Sequence, residues 1–113
     1  MIAGIGVDVV DIERFSQSLD RTPALAEKLF TSNERDKPIH SLAARFAAKE
    51  ALYKALSPAH SLAWHDAEIL NAANGKPNFH LHGQIAELVG SATVHLSLSH
   101  DGGVATAMVV IEK

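Results

Sequence analysis

Residues 40–56 constrain the fold more than any other segment of this sequence. They read HSLAARFAAKEALYKAL, a run dominated by alanine, leucine and other strong helix formers. The composition predicts one long helix, which Pro58 should end because proline cannot continue the helical hydrogen-bond pattern. In a chain of 113 residues such a helix must be central to whatever the remaining segments build.

The flanking segments carry the patterns of strands and shorter helices. Strands are predicted at residues 2–10, 66–70, 78–82, 93–100 and 104–112, with turns at Asn74-Gly75-Lys76-Pro77 and Asp101-Gly102-Gly103. Short helices are predicted at residues 12–20, from Pro23 (after the N-cap Thr22) to about Phe30, and at 84–89, and Thr31 with Glu34 forms a capping-box pattern. The predicted fold class is α+β, an antiparallel meander with a long central helix and short helices packed on one side.

The length fits a single domain spanning residues 1–113. A domain of this size buries about two-thirds of the surface that its unfolded chain exposes, which leaves little material for a deep cleft. We expect that an enclosed site would need a wall from a neighbouring subunit.

Charge and composition disfavour several classes of protein. The net charge is −3, whereas general nucleic-acid binding requires a basic excess. The chain has no cysteine, which excludes disulfides and thiolate catalysis and fits a reducing compartment. We see no signal-peptide pattern and no run of the ~20 apolar residues that span a bilayer, so we expect a cytoplasmic protein that binds neither membrane nor nucleic acid.

Asp8 is unusual because it lies inside an apolar strand, where aspartate is disfavoured. Alternation puts Gly4, Gly6 and Asp8 on one strand face, and the two glycines would leave open space beside the carboxylate for a ligand. The alternative is an aspartate that caps the turn after the strand. Asp11 is better placed for that cap, since it directly precedes the first short helix.

The long helix carries charges in an unusual arrangement. Arg45 and Lys49 are four residues apart, so two like charges face each other, which makes sense if an anion bridges them. Glu50 and Lys54 are also four apart, in the orientation that favours an ion pair. The alternative is an ordinary solvated helix face.

Other segments add cations. Gly75-Lys76-Pro77 combines close backbone approach with a point charge, although most such segments are plain turns. His100, at a strand end, is either a phosphate donor or a structural histidine. Arg14 and Arg21 lie nearly on one helix stripe, as a polar face or as a dock for an acidic partner. Carboxylates, cations and a glycine turn are together typical of a magnesium-dependent phosphoryl-group transferase.

The order and spacing of these motifs resemble the small bacterial 4′-phosphopantetheinyl transferases, the holo-acyl-carrier-protein synthases, over almost the whole chain. The motifs are Gly4-Ile5-Gly6-Val7-Asp8, Val9-Val10-Asp11-Ile12-Glu13-Arg14-Phe15, Phe30-Thr31 with Glu34, Arg45-Phe46-Ala47-Ala48-Lys49-Glu50-Ala51 with Lys54-Ala55, Asn74 before Gly75-Lys76-Pro77, and Val94-His95-Leu96-Ser97-Leu98-Ser99-His100.

The resemblance implies a 4′-phosphopantetheinyl transferase-like fold and transfer of the 4′-phosphopantetheine arm of coenzyme A to a serine of apo acyl carrier protein or a carrier domain. Adenosine 3′,5′-bisphosphate would be released, and the role would be in fatty acid biosynthesis. The resemblance further implies Mg²⁺ as cofactor and a homotrimer with active sites between subunits.

The resemblance also assigns roles to individual residues. Asp8 and Glu50 would bind the metal, and Glu50 and Lys54 would be catalytic. Arg14 and Arg21 would bind the carrier protein. The coenzyme A contacts would be Arg45, Lys49, Lys54, Gly75, Lys76, Pro77 and His100.

Two departures from the family pattern and two rival functions accompany these expectations. The run Leu56-Ser57-Pro58-Ala59-His60 lacks the glycines common in the family near the nucleotide. On the first helix side, Ser18 stands where many relatives carry an apolar residue, and Ala24 stands where some carry another cation. A coenzyme A-sensing module would not need both Asp8 and Glu50. A structural oligomerisation domain would not explain the Gly4–Gly6–Asp8 face.

Overall fold

The structure is a computed structural model that describes residues 1–56 and 63–113. Its elements are β1 (Ile2–Asp11), α1 (Ile12–Arg21), α2 (Ala24–Leu29), α3 (Ile39–Leu56), β2 (Ala67–Asn71), β3 (Pro77–Leu81), α4 (Gly83–Val89), β4 (Thr93–Asp101) and β5 (Val104–Glu112). A short 3-10 turn, Trp64–Asp66, leads into β2. The predicted stop at Pro58 lies outside the described residues. None of the described helices is both long and apolar enough to cross a membrane.

The α+β class is confirmed, but the predicted meander is wrong. The strands form a three-stranded antiparallel sheet in the order β1-β5-β4 and a separate hairpin of β2 with β3. The first strand therefore pairs with the last, from Ile2 opposite Glu112 to Asp11 opposite Val104. The alternation of apolar and polar residues shows which face of a strand is apolar, but it does not show which other strand pairs with it.

Helix α3 covers one face of the three-stranded sheet. Buried alanines of the helix, such as Ala47 and Ala51, meet the small buried residues Ala105 and Ala107 of β5. The opposite face of the sheet is open, and its large apolar side chains are 45% to 63% exposed: Ile5, Val7, Val9 and Met108. Apolar surface of this size on a sheet face is typical of an interface.

Gly4 and Gly6 lie where β1 meets the backbone of α3. A Cβ atom on Gly4 would lie 2.0 Å from the carbonyl oxygen of Ala55, and one on Gly6 would lie 1.9 Å from that of Ala51. The predicted open space for a ligand beside Asp8 is therefore wrong at these two positions, because the helix backbone fills it. The glycines instead let strand and helix touch main chain to main chain.

The predicted caps are partly confirmed. Asp11 caps α1, since its Oδ1 accepts from the backbone N–H of Arg14 at 2.9 Å. Glu34 Oε1 accepts from the backbone N–H of Thr31 at 3.0 Å, as a capping box requires, but Thr31 Oγ1 donates to Glu68 at 2.5 Å. Thr22 is the C-cap of α1 rather than a side-chain cap for α2.

Candidate active site

Asp8 and Glu50 line one open groove of about 490 Å³. Strand β1 supplies Asp8, and the facing turn of α3 supplies Glu50 and Phe46. Arg14 of α1 lines the same groove. The close contact between β1 and α3 thus brings two carboxylates that are distant in sequence to a shared, solvent-accessible space.

Lys54 is bonded to the strand rather than to its neighbour on the helix. Its Nζ donates to the Val7 carbonyl at 2.9 Å and to Asp8 Oδ1 at 3.0 Å, so the predicted pair with Glu50 is replaced by a pair with Asp8. The Lys54 side chain is 54% exposed, whereas that of Asp8 is 17% exposed. The cation is therefore accessible to an incoming anion.

Burial, together with nearby charge, raises the pKa of Glu50 above its usual value. Burial is the largest cause, the negative charge of Asp8 adds to it, and Lys54 acts in the opposite direction. Two carboxylates that repel each other in a partly covered groove are stabilised by a cation between them. The electrostatics of the groove therefore favour a bound cation.

The donor set fits magnesium. Among the described residues no group of three or more histidine, cysteine or acidic side chains is arranged to hold a metal. Two carboxylates suit Mg²⁺, which commonly takes one or two protein carboxylates and completes its shell with water and substrate phosphates. A structural zinc site would need four nitrogen or sulfur ligands.

A second groove, of about 420 Å³, collects most of the residues predicted to contact coenzyme A. Helix α3 supplies Arg45, the β2–β3 turn supplies Gly75, Lys76 and Pro77, and β4 supplies His100. Within the part of the chain that the structure describes, no acidic side chain lines this groove, and it shares no lining residue with the carboxylate groove.

The β2–β3 turn is held in shape by its own hydrogen bonds. Gly75 has a φ of +85°, a conformation that favours glycine, and the Asn74 side chain accepts from the Lys76 N–H at 3.0 Å. The Ala72 N–H donates to the Lys76 carbonyl at 2.8 Å. The turn therefore presents Lys76 from a defined backbone.

Arg45 lies at the base of the second groove and is only 4% exposed. Its Nε donates to the Ile69 carbonyl at 3.4 Å, its Nη2 donates to Asn71 Oδ1 at 3.1 Å, and its Nη1 donates to Ser41 Oγ. Burial lowers the pKa of Arg45, while the charges of Glu34 and Asp36 oppose that shift. Arg45 thus anchors the hairpin to α3 and has few donors left for a ligand.

Lys49 does not reach either groove. Its side chain is 0% exposed, and its ammonium donates to Glu34 Oε1 at 2.9 Å and to the Leu29 and Trp64 carbonyls at 2.8 and 3.0 Å. The predicted contact of Lys49 with coenzyme A, and the predicted anion between Lys49 and Arg45, are wrong because all three protons of the buried Lys49 ammonium have protein acceptors. The partner of Lys49 is Glu34, the acid of the capping-box pattern with Thr31. Only the tertiary structure brings Glu34 and Lys49 together.

Three residues of the second groove were missed from the sequence. Ser41 lies one helical turn before Arg45, a spacing that could have revealed it. Asn71 lies opposite Pro77 in the hairpin, so finding it requires the strand register. His40 lies with its ring centroid 5.1 Å from that of His100, a contact between α3 and β4 that no local pattern indicates.

Arg14 and Arg21 are exposed on α1, as predicted. Among the described residues neither forms a salt bridge. An apolar groove lined by Phe15, Leu25, Phe46 and Trp64 adjoins the carboxylate groove, with which it shares Phe15, Ser18 and Phe46. Arg14, which lines the carboxylate groove, thus lies near an aromatic surface.

Comparisons with known proteins give consistent matches over the whole chain. A model of the 4′-phosphopantetheinyl transferase superfamily matches residues 4–109. A holo-[acyl-carrier-protein] synthase of Leifsonia xyli is 55% identical, with 100% of this chain and 98% of that protein covered. The structure of a holo-[acyl-carrier-protein] synthase from Neisseria meningitidis has a TM-score of 0.87 at 35% identity, with full coverage of both chains. A Chronobacterium ammoniagenes ACPS–CoA complex has a TM-score of 0.85 at 30% identity and covers 96% of each chain.

Proposed function

Since this chain belongs to the 4′-phosphopantetheinyl transferase superfamily, we propose that it transfers the 4′-phosphopantetheine arm of coenzyme A to a serine of apo acyl carrier protein. The observation that carries the proposal is the groove in which Asp8 and Glu50 lie beside the exposed Lys54. The names of the relatives, and the coenzyme A complex of one of them, support the donor and acceptor.

The reaction exchanges one phosphorus–oxygen bond for another. The serine oxygen attacks the phosphorus attached to the pantetheine arm, and the bond from that phosphorus to the bridging oxygen breaks. Adenosine 3′,5′-bisphosphate leaves with the bonding electrons, and the serine proton passes to a base. Lys54 would stabilise negative charge on the phosphate oxygens, and the proton would pass to Glu50 directly or through a water.

Asp8 and Glu50 would hold Mg²⁺ in this groove. When bound, the ion supplies neutralisation of the diphosphate charge and alignment for in-line attack. Lys54, already bonded to Asp8, remains exposed on the ligand side. The carboxylates and the lysine therefore divide the work between binding the cation and stabilising the charge that develops during transfer.

We propose that coenzyme A binds across a subunit boundary of a homotrimer. The carboxylate groove and the groove of Arg45, Lys76 and His100 have no residue in common, so one ligand would use the first groove of one subunit and the second groove of the next. The exposed apolar sheet face around Ile5 and Met108 supports association between copies.

The carrier protein would dock on α1. Arg14 and Arg21 are exposed cations, and the adjoining groove of Phe15, Leu25, Phe46 and Trp64 offers apolar contact. A carrier with acidic and apolar residues beside its serine would match this surface. We expect the protein to act as a single domain in the cytoplasm, in fatty acid biosynthesis.

The test is a mass measurement on apo carrier proteins incubated with coenzyme A and the enzyme. We expect the carrier to gain the mass of one 4′-phosphopantetheine group with magnesium present and to gain none with a chelator. Binding of coenzyme A without any mass gain on several carriers would instead support a sensing module. Transfer that continues at full rate in chelator would refute the metal assignment.

The docking surface has its own test. Arg14→Glu should raise the KM for the carrier about tenfold, since charge reversal turns attraction to an acidic partner into repulsion, with little effect on the KM for coenzyme A. Arg35→Glu, at an exposed position outside α1, is the matched control. Equal changes in both KM values for the Arg14 variant would rule out its docking role.

A further inference from the structure

Lys54 and the proposed metal ion would use the same carboxylate. The Lys54 ammonium donates to Asp8 Oδ1 at 3.0 Å and to the Val7 carbonyl at 2.9 Å. Asp8 is also one of the two acids, with Glu50, that line the carboxylate groove and fit a divalent cation. The carboxylate that would bind the metal is therefore already paired with a positive charge.

The charges around the carboxylate groove do not balance a divalent cation by themselves. Asp8 and Glu50 carry two negative charges when ionised, and Lys54 adds one positive charge. Asp11 and Arg14 also line the groove, and their charges cancel. One net negative charge remains, which a divalent cation would turn into one excess positive charge. The diphosphate of coenzyme A carries the negative charge that would restore the balance.

Lys54 is able to leave Asp8. Its side chain is 54% exposed, and both of its acceptors lie on β1. Pairs between an exposed lysine and a carboxylate are weak, and the ammonium is a compact charge on a flexible stem. A metal ion can therefore displace the ammonium from Asp8, and a phosphate oxygen of the ligand can accept a hydrogen bond from it.

The presence of the diphosphate changes the effect of Lys54 on cation binding. Without the diphosphate, Lys54 weakens the binding of a cation, because the ammonium is bonded to Asp8 and repels a second positive charge. With the diphosphate, the ammonium has another acceptor, and negative charge offsets the repulsion. Coenzyme A should therefore tighten cation binding, and the cation should tighten coenzyme A binding by the same factor.

We propose that Lys54 couples the binding of the divalent cation to the binding of coenzyme A, because it competes with the cation for Asp8 and moves to the diphosphate when both ligands bind. This inference rests on the proposed function and deepens it. It makes Lys54 a positioning residue for the metal site, in addition to its contact with the phosphate. The bond exchange is the same as in the proposed reaction.

The experiment measures dissociation constants of Mn²⁺, a paramagnetic substitute for Mg²⁺, by electron paramagnetic resonance on the full chain with and without coenzyme A. A titration without protein corrects for Mn²⁺ that binds to coenzyme A in solution. Without coenzyme A, Lys54→Met should tighten Mn²⁺ binding about tenfold, because the competing charge is gone. With saturating coenzyme A this gain should vanish, so the factor by which coenzyme A tightens Mn²⁺ binding should fall about tenfold.

Two further variants are the controls. Lys54→Arg retains the competing charge and should leave Mn²⁺ binding close to that of the wild-type protein. Lys37→Met removes an exposed lysine that does not line the carboxylate groove and should change none of the constants. The melting temperature of each variant is measured first, so that binding is compared only between folded proteins.

Three outcomes would overturn the inference. Unchanged Mn²⁺ binding by Lys54→Met without coenzyme A would mean that the lysine does not compete for Asp8. An equal change with and without coenzyme A would mean that Lys54 does not couple the two ligands. Equal tightening by Lys54→Arg would mean that the charge is not the cause.

The mass assay on apo carrier protein, run in parallel with the wild-type protein, separates this inference from the proposed function. Magnesium-dependent transfer together with the same coupling factor in wild type and Lys54→Met would reject the inference alone. No transfer to any carrier would reject the proposed function, whatever the Mn²⁺ constants are.

Discussion

Helix α3 carries two lysine–carboxylate pairs that are similar in distance and opposite in environment. Lys49 Nζ lies 2.9 Å from Glu34 Oε1, and both side chains are 0% exposed. Lys54 Nζ lies 3.0 Å from Asp8 Oδ1, and the side chains are 54% and 17% exposed. The lysines are five positions apart, so the helix turns one of them into the core and the other towards the exposed side of β1.

The difference separates a cation that protein acceptors enclose from a cation that can still bind a ligand. All three protons of the Lys49 ammonium have protein acceptors, so the pair has nothing left to offer a ligand. The Lys54 ammonium uses two acceptors and keeps a solvent-facing side. Removing a partner should therefore cost stability in the first pair and turnover in the second.

The largest expected effect belongs to the exposed pair. Asp8→Ala should lower the transfer rate by at least about 10³-fold, roughly 4 kcal/mol of barrier, because one of the two proposed cation ligands is lost. The melting temperature should change little, since Asp8 is not part of the core. Asp20→Ala, an exposed acid of α1, is the control. Turnover within tenfold of wild type at saturating magnesium would contradict the expectation that the exposed pair matters for turnover.

The buried pair should show the reverse pattern. Lys49→Met should lower the free energy of unfolding by about 3–5 kcal/mol, because it leaves Glu34 buried without its cation. Turnover per folded molecule should stay within a few-fold of wild type. Urea unfolding of this variant, of Glu34→Gln and of the double variant gives the coupling energy. A loss below about 1 kcal/mol for Lys49→Met would contradict the structural role.

Lys54→Ala separates charge stabilisation from folding. The Lys54 side of the pair with Asp8 is 54% exposed, so its removal should change stability by less than about 1 kcal/mol. Turnover should fall about 10²-fold because a cation near the developing phosphate charge is gone. The change in stability is measured by thermal unfolding, and the change in turnover is measured by the carrier mass assay. A large loss of stability with normal turnover would mean that Lys54 has a structural role, as Lys49 does.

The smallest effect concerns Glu50 in metal-free protein. Burial and Asp8 raise its pKa in the folded state, so folded protein binds more protons than unfolded protein between the ordinary glutamate pKa and the raised one. Stability therefore falls as pH rises through that window, and the penalty is fully present above it.

Glu50→Gln should accordingly stabilise the chelator-treated protein at pH 7 by less than about 1 kcal/mol and give no gain near pH 4. Melting temperatures at the two pH values are the measurement. Destabilisation at pH 7 would mean that the folded protein stabilises the ionised Glu50 carboxylate, as it stabilises the Lys49 ammonium.

The sequence predicted the local elements well and their partners poorly. The caps, turns and periodicities that mark strands and helices act within a few residues, so most bounds agree within one or two positions, as for α3. Asp8 and Glu50 line one groove as expected, whereas Lys54 pairs with Asp8 instead of Glu50. The order β1-β5-β4, the burial of Lys49 and the contact of His40 with His100 all depend on what lies across a tertiary interface, which no local pattern encodes.

Gly4 and Gly6 illustrate that limit. Their absence of side chains correctly indicated that something approaches the strand closely, yet a ligand and a helix backbone require the same open face. Only the packed structure distinguishes the two. The prediction that something packs closely against the strand at these glycines was right, but the neighbour is a helix backbone and not a ligand.

The main-chain contact between β1 and α3 also sets a limit on how this protein can change. Because peptide groups, and no intervening side chains, define the gap between the strand and the helix at Gly4 and Gly6, the separation of Asp8 and Glu50 depends on both positions remaining glycine. A homologue or a redesigned protein with a different ion preference would have to change residues that line the groove. To reproduce the groove in another protein, the crossing strand and helix would have to be transferred together.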